Sequence, residues 1–398
     1  MAGACAPAPD IGGVEAASLV PRIRVALAPG VAEVVVGGGD ALLLRQPGGA
    51  PVAEIAVGAT ATLVRAGDAV AVRVGGRTTA TAPAIQMVPS DPDGLIRVSG
   101  QDYRGGLSVE PGAQGLLPVN RLDLEDYLAG VVNAEMGRRG PGEGAALEAQ
   151  AIVSRTYALR AIARWRARDY DVVATVSDQA YGGVGSETAA GREAIRITRG
   201  TILTYEGQPI EAFFHSTCGG RTAAGEEVFS AGALPYLRSV GDTGPGGESW
   251  CAISPRFRWS ESWTGEGLHA VLEAARSVAG PGNGSPGDIR DVVVTGRTPS
   301  GRVQSLGLVT DHGTIAVTGA AVRQALPPAP GQLLRSAAFE LQVTRQGSRI
   351  VRLTASGQGA GHGVGLCQWG AVGRARAGAT SEEILMAYFP GTRLERRW

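Results

Sequence analysis

The sequence predicts an α+β protein, a mixed, strand-rich, multi-lobed fold with a few helices around a central cleft. Three observations lead there. Short β-branched runs bounded by Gly or Pro recur through residues 21–100 and again through 291–353. Helical periodicity replaces them between about 123 and 168. The chain has 398 residues, more than one ordinary core, so several lobes or modules are expected. The expected division is a disordered N-terminal leader or linker at 1–20, a β-rich module at 21–100, and a main domain at 101–398 carrying a β-rich insertion at about 288–355.

Taken in order, Ile23–Leu27 and Ala69–Val74 read as strands, and Tyr103–Val119 adds more. From Asp123 to Met136 the apolar spacing is helical, with Leu124, Leu128, Val131 and Glu135 on one face. Asp123 is placed as the N-cap, and Glu125 and Asp126 suit the first turn. Gly137–Gly144 breaks that helix, and a second runs from Ala145 to about Arg168. A strand at Ile202–Tyr205 leads to the apolar Ile210–Phe214, and Leu268–Val278 reads as another helix. Asp291–Leu353 is strand-rich, with Gly296–Gly301 as a hairpin connection. A glycine-rich loop, Gly357–Gly373, precedes a last helix with Thr380 and Glu383 as its capping box and Pro390-Gly391 as its stop.

Composition excludes several chemistries. The formal net charge is zero, which leaves no electrostatic footprint for nucleic acid. Every basic residue is arginine; without lysine, neither Schiff-base catalysis nor a P-loop is available. GxSxG, HExxH and SxxK are absent, which removes the commonest serine-hydrolase, metalloprotease and penicillin-binding signatures. No stretch approaches the roughly 20 apolar residues of a membrane span. Met1–Pro9 lacks a secretory leader's basic and apolar regions. Ala2-Gly3-Ala4-Cys5 reads either as the end of a lipoprotein signal or as an incidental cysteine in a disordered terminus.

Four groups of residues are able to carry chemistry. Glu135 sits on the apolar stripe, where desolvation would raise its pKa into the range of a general acid; the alternative is a buried ion pair with Arg155 or Arg160. Gln150, Ser154 and Tyr157, with Arg155 adjacent, form a row suited to a hydroxyl-rich substrate or simply to solvent. The segment His215-Ser216-Thr217-Cys218-Gly219-Gly220 admits three readings. They are a Cys nucleophile with a His base, a zinc site using His215, Cys218, Cys251 and His362, or a Cys218–Cys251 disulfide in an exported protein. With Cys5 set aside, at most one internal disulfide can form among Cys218, Cys251 and Cys367. His362 lies between glycines that let backbone approach a ligand closely.

Three segments together resemble the SpoIID/LytB family, stage II sporulation protein D and its relatives. The first is Val119–Leu128 through Ala134-Glu135-Met136, with Glu148–Ala151 and Ser154–Leu159. The second is Phe214–Gly220 with Pro235-Tyr236-Leu237, and the third is Gly361–Ala371 with Tyr388–Thr392. Order and spacing agree over roughly residues 100–395. The resemblance implies an exported, cell-envelope lytic transglycosylase acting on peptidoglycan glycan strands, often denuded of stem peptides, with Glu135 as the one acid–base residue. The alternative within the family is a non-catalytic amidase activator or wall-binding protein, with a cell-wall amidase as partner. The expected substrate-binding set is Gln150, Arg155, Tyr157, Tyr181, His215, Ser216, Thr217, His362 and Gln368, with Arg155, His215 and His362 lining the cleft beside Glu135. No cofactor is expected beyond a zinc site at His215, Cys218 and Cys251, and membrane association is expected only through a lipidated Cys5. Two departures stand out: Glu148 where relatives often carry lysine, and Cys218 where many carry serine.

Overall fold

The computed structural model describes residues 20–229, 232–279 and 287–398; Cys5 and the expected leader lie outside them. The fold is mixed α+β, with many strands in several sheets and helices packed against them. Among the described residues no helix is long and apolar enough to cross a membrane.

The first strands do not form a core by themselves. Arg22–Ala26 pairs antiparallel with Gly115–Asp123 and parallel with Val172–Val173, so residues from three distant segments share one seven-stranded sheet. Strand alternation explains the register: Ile23 and Val25 are fully buried while Arg22 is exposed, and Ile23 pairs with Leu122. A six-stranded antiparallel sheet (Gln101–Tyr103, Ile96–Val98, Glu33–Gly37, Thr60–Ala66, Ala69–Val74 and Arg77–Ala82) packs into the same core.

Two helices follow the seven-stranded sheet, α1 (Leu124–Met136) and α2 (Gly144–Arg164). Asp123 has the extended backbone of an N-cap, yet its side chain makes no capping bond and reaches Arg22 instead. Glu125 is likewise drawn inward to Arg155. α2 stops at Arg164 rather than near Arg168, and the turn that follows is tied to the first strand by the Arg24 guanidinium, which donates to the Trp165 and Arg168 carbonyls at 3.0 and 2.5 Å. The last helix, Ser381–Tyr388, carries the Thr380/Glu383 capping box in full.

A second hydrophobic core gathers Trp259, Trp263, Val271, Leu306, Leu308, Val322, Phe339 and Leu353. It sits between two three-stranded sheets and the helix Glu266–Ala279. This lobe leaves the chain at Arg258–Trp263 and returns at Arg349–Gln358, and those strands pair with each other, Arg258 opposite Gln358. The first core closes around the lobe's ends through a short parallel pair, Phe214–His215 with Leu366–Cys367.

Candidate functional site

A cleft of ≈ 780 Å³ runs between the end of α1, the 176–180 loop, the Phe214–His215 strand, the glycine loop and the second lobe. Glu135 lines it from the last turn of α1. The carboxylate accepts a hydrogen bond from the Ala180 amide at 2.5 Å and another from the Gln368 side chain. Burial raises its pKa above the ordinary carboxylate value and outweighs both hydrogen bonds, which pull it down. Neither candidate arginine neutralises it: Arg155 pairs with Glu125, and Arg160 with Glu211.

Gln368 opens the helix Gln368–Arg376, and its amide donates to Gln150 Oε1 at 3.3 Å. Gln150 in turn donates to Ser154 at 3.0 Å. Gln150 is fully buried, so it supports Gln368 from behind rather than facing substrate. The 176–180 loop is fixed at Asp178, which accepts from the Tyr157 hydroxyl at 2.7 Å and from the Val173 amide at 2.8 Å. That bond and burial hold the Tyr157 phenol protonated far beyond neutral pH.

The two histidines share one backbone residue. His215 Nδ1 donates to the Val364 carbonyl at 3.1 Å, while the Val364 amide donates to His362 Nδ1 at 3.1 Å. The proton therefore sits on Nδ1 of His215 and on Nε2 of His362. His215 Nε2 is buried with no hydrogen-bond partner among the described residues. Burial keeps both rings neutral, with His215 well below its usual range and His362 pushed down to about 4. Phe213 and Phe229 flank His362, centroids at 6.2 and 5.4 Å. Two glycines of this loop let other parts of the protein pack close: a Cβ at Gly363 (φ +90°) would lie 2.5 Å from Arg302, and one at Gly361 (φ +105°) 2.9 Å from His215.

Of the expected binding set, Tyr157, His215, Ser216, His362 and Gln368 line the cleft with Glu135. Arg155 does not: it is wholly buried in a bidentate pair with Glu125, at 3.0 and 2.8 Å, and donates to the Thr201 carbonyl. Tyr181 is in the core, its hydroxyl donating to Asn120 at 2.8 Å, and Thr217 is turned inward to Ser254 at 2.8 Å. Glu148 does not line the cleft either; it accepts from the Ser381 hydroxyl at 2.8 Å. Sequence reasoning missed the opposite wall, where the second lobe contributes Glu261, Arg323 and Arg335, joined by Arg256. Nothing local in those stretches marks them, since they reach the cleft only through the pairing that folds the lobe back.

The cysteines are not joined by the expected Cys218–Cys251 disulfide, and the donors that gather around them keep Cys218 and Cys251 of the expected zinc set but not His215. Cys218, Cys251 and Cys367 are free and buried, with Cys218 and Cys251 sulfurs 3.4 Å apart. His215 is not among the donors that converge; Cys218, Cys251, Cys367 and Asp242 are, all within 4.8 Å of one another.

The cleft is built on segments that recur in known proteins. Residues 113–205, which carry α1, α2 and Glu135, match the model of the stage II sporulation protein family SpoIID. Residues 248–365, which span the second lobe, match a domain of unknown function (DUF8618). An uncharacterized protein of Brachyspira hyodysenteriae is 32% identical over 295 residues, covering 74% of this chain and 72% of that protein. The stage II sporulation protein D of Bacillus subtilis is 30% identical over 344 residues, 78% of this chain and 91% of that one. The amidase enhancer of Bacillus subtilis is 28% identical over 293 residues, 67% of this chain and 40% of that one. A relative matched along nine-tenths of its length, together with a family segment that supplies the buried glutamate, makes this chain a member of the stage II sporulation protein D (SpoIID) family.

Proposed function

We propose that this protein is a peptidoglycan lytic transglycosylase that cleaves glycan strands in the cell envelope, with Glu135 as its acid–base residue. The observation that carries the reading is a carboxyl group buried in a cleft, in no ion pair among the described residues, with its pKa raised by burial. Such a group holds its proton long enough to deliver it to a glycosidic oxygen. As the bond to C1 of the muramic residue breaks, the carboxylate left behind takes the proton of the same sugar's C6 hydroxyl. The C6 oxygen then closes on C1 to give the 1,6-anhydro end, and no water is consumed. Ordinary glycosidases need two carboxylates. Here the other acidic side chains of the cleft are engaged, Asp178 by Tyr157 and the Val173 amide, and Glu261 by Arg335 at 3.3 Å.

The arginines of the second lobe suit a denuded strand, whose muramic residues expose lactyl carboxylates once stem peptides are gone. Arg323 and Arg335 face the same space as Glu135, and Arg323 is held by the Leu334 carbonyl at 2.7 Å. Incubating wild type and Glu135→Gln with denuded strands, with products followed by mass spectrometry, tests the reading. Anhydromuramyl ends from wild type alone support it; none from wild type overturns it. The likeness to an amidase enhancer favours a second reading, a wall-binding activator of an amidase. That reading expects equal sacculus binding by both proteins, amidase stimulation by both, and no cleavage.

A further inference from the structure

We propose that Cys218, Asp242, Cys251 and Cys367 form a closed, tetrahedral structural zinc site behind the cleft wall. The four residues come from four separate segments: the loop after Phe214–His215, the residue before Thr243, the short turn Trp250–Ile253, and the N-cap of the helix Gln368–Arg376. All four are buried to within 2% of complete, and their donor atoms lie within 4.8 Å of one another. Zinc–sulfur bonds of about 2.3 Å place tetrahedral sulfurs roughly 3.8 Å apart. The observed 3.4 Å between Cys218 and Cys251 needs only a few tenths of an ångström of relaxation.

The surroundings are arranged for thiolates and a ligating carboxylate. Oδ1 of Asp242 is occupied by the Tyr388 hydroxyl at 2.7 Å and by Arg374 at 3.3 Å, which turns Oδ2 toward the sulfurs, 3.2 Å from Cys218 Sγ. Outer partners of this kind orient a metal ligand. Backbone amides point at the sulfurs: those of Cys218 and Gly370 at Cys367 Sγ, 3.1 and 3.3 Å, and that of Gly220 at Cys218 Sγ, 3.4 Å. Three thiolates and a carboxylate around a divalent ion leave two net negative charges. Arg374 on Asp242, and Arg302, which donates to the Cys218 carbonyl at 3.1 Å, stand beside them.

A three-thiolate set selects a soft or borderline ion, and four protein ligands leave no position for a catalytic water. Binding is a ligand exchange without redox: each thiol loses its proton to solvent as its sulfur bonds zinc. A disulfide would satisfy only two of the three sulfurs and leave a buried thiol against Asp242. The site stands on its own geometry, whichever reaction the cleft performs. It does bear on the cleft, because Cys367 immediately precedes Gln368, and Cys218 follows His215 by three residues. The ion would tie both to one anchor.

The test uses the full chain purified without chelator. Metal analysis should find about one zinc per chain, and the denatured intact mass should be that of the fully reduced protein. Cobalt exchanged for zinc should give thiolate charge-transfer absorption and the visible bands of a tetrahedral ion. Tyr388→Phe, which removes only the hydroxyl on Asp242, should weaken zinc retention against a competing chelator by roughly 10–100-fold. Cys367→Ser should lose the ion, and wild-type metal content and mass decide the matter even where that variant does not fold. A metal-free chain two hydrogens lighter assigns a disulfide and overturns the proposal. So does a reduced, metal-free chain whose thermal midpoint is unmoved by added zinc.

Discussion

Replacing Arg155 with alanine separates a core role from a substrate role. The guanidinium makes a bidentate pair with Glu125 at 3.0 and 2.8 Å and a third bond to the Thr201 carbonyl at 3.0 Å. The two side chains are 0% and 9% exposed, so solvent screens little of this. Removing one partner of a buried pair costs about 3–5 kcal/mol, because the remaining charge is left in a poor solvent. Glu125 keeps two donors after the change, the Gly200 amide at 3.2 Å and the Trp398 indole at 2.9 Å, which points to the lower half of that range. At roughly 2–4 °C per kcal/mol for a unit of this size, the thermal midpoint should fall by on the order of 10 °C. The assay is thermal unfolding, with KM for glycan strands measured well below the transition. The midpoint should drop and KM should stay within about twofold. A raised KM with an unmoved midpoint would place Arg155 in the substrate path and refute the argument. As a control, Arg155→Met with Glu125→Leu should recover much of the loss, since a packed apolar pair replaces a buried ionic one at little net cost.

Three further outcomes follow from the site. Because the folded pKa of Glu135 is raised, the native state binds the extra proton and loses relative stability as pH rises through the unfolded value. Glu135→Gln should therefore melt at or above wild type at neutral pH, with the difference vanishing below the ordinary carboxylate range; a variant less stable at neutral pH contradicts the burial argument. Gln368 stabilises the Glu135 anion, so Gln368→Ala should raise the carboxyl pKa and move the alkaline limb of the pH–rate profile upward, and a downward shift would show that the amide does not donate to it. Arg335→Ala should raise KM for denuded strands about fivefold, near 1 kcal/mol for a half-exposed cation, and change KM for peptide-bearing strands less; equal effects on both would remove the carboxylate contact.

The helices and the glutamate were legible because their signals are local. A capping box is two residues three apart, and Glu135 falls on the α1 stripe whatever the tertiary context. The row on α2 misled for a physical reason. That helix is enclosed on nearly every side, with Leu147, Gln150, Val153, Ser154, Arg155 and Thr156 all buried, so a polar residue on it signals an internal partner as readily as a ligand. Arg155 points to a glutamate 30 positions away, and no periodicity encodes that. The thiol cluster was hidden in the same manner. Cys218 and Cys367 meet across 149 positions, and Asp242 lies in a stretch with no chemical signature. Spacing rules find metal sites built from one hairpin, not sites assembled from four segments.

The pairing of Arg258 with Gln358 has an evolutionary implication. The residues at which the second lobe departs and rejoins are neighbours across a ladder, about 5 Å apart. A chain that skipped everything between them would need only a tight turn to join the ends, and one that acquired a different lobe would need no rearrangement of the first core. The acid belongs to that first core, whereas the arginines opposite it belong largely to the lobe. On the proposed function, bond cleavage and strand preference would be heritable as separate traits: recombination at this seam would exchange the arginine wall and leave the buried glutamate where it was.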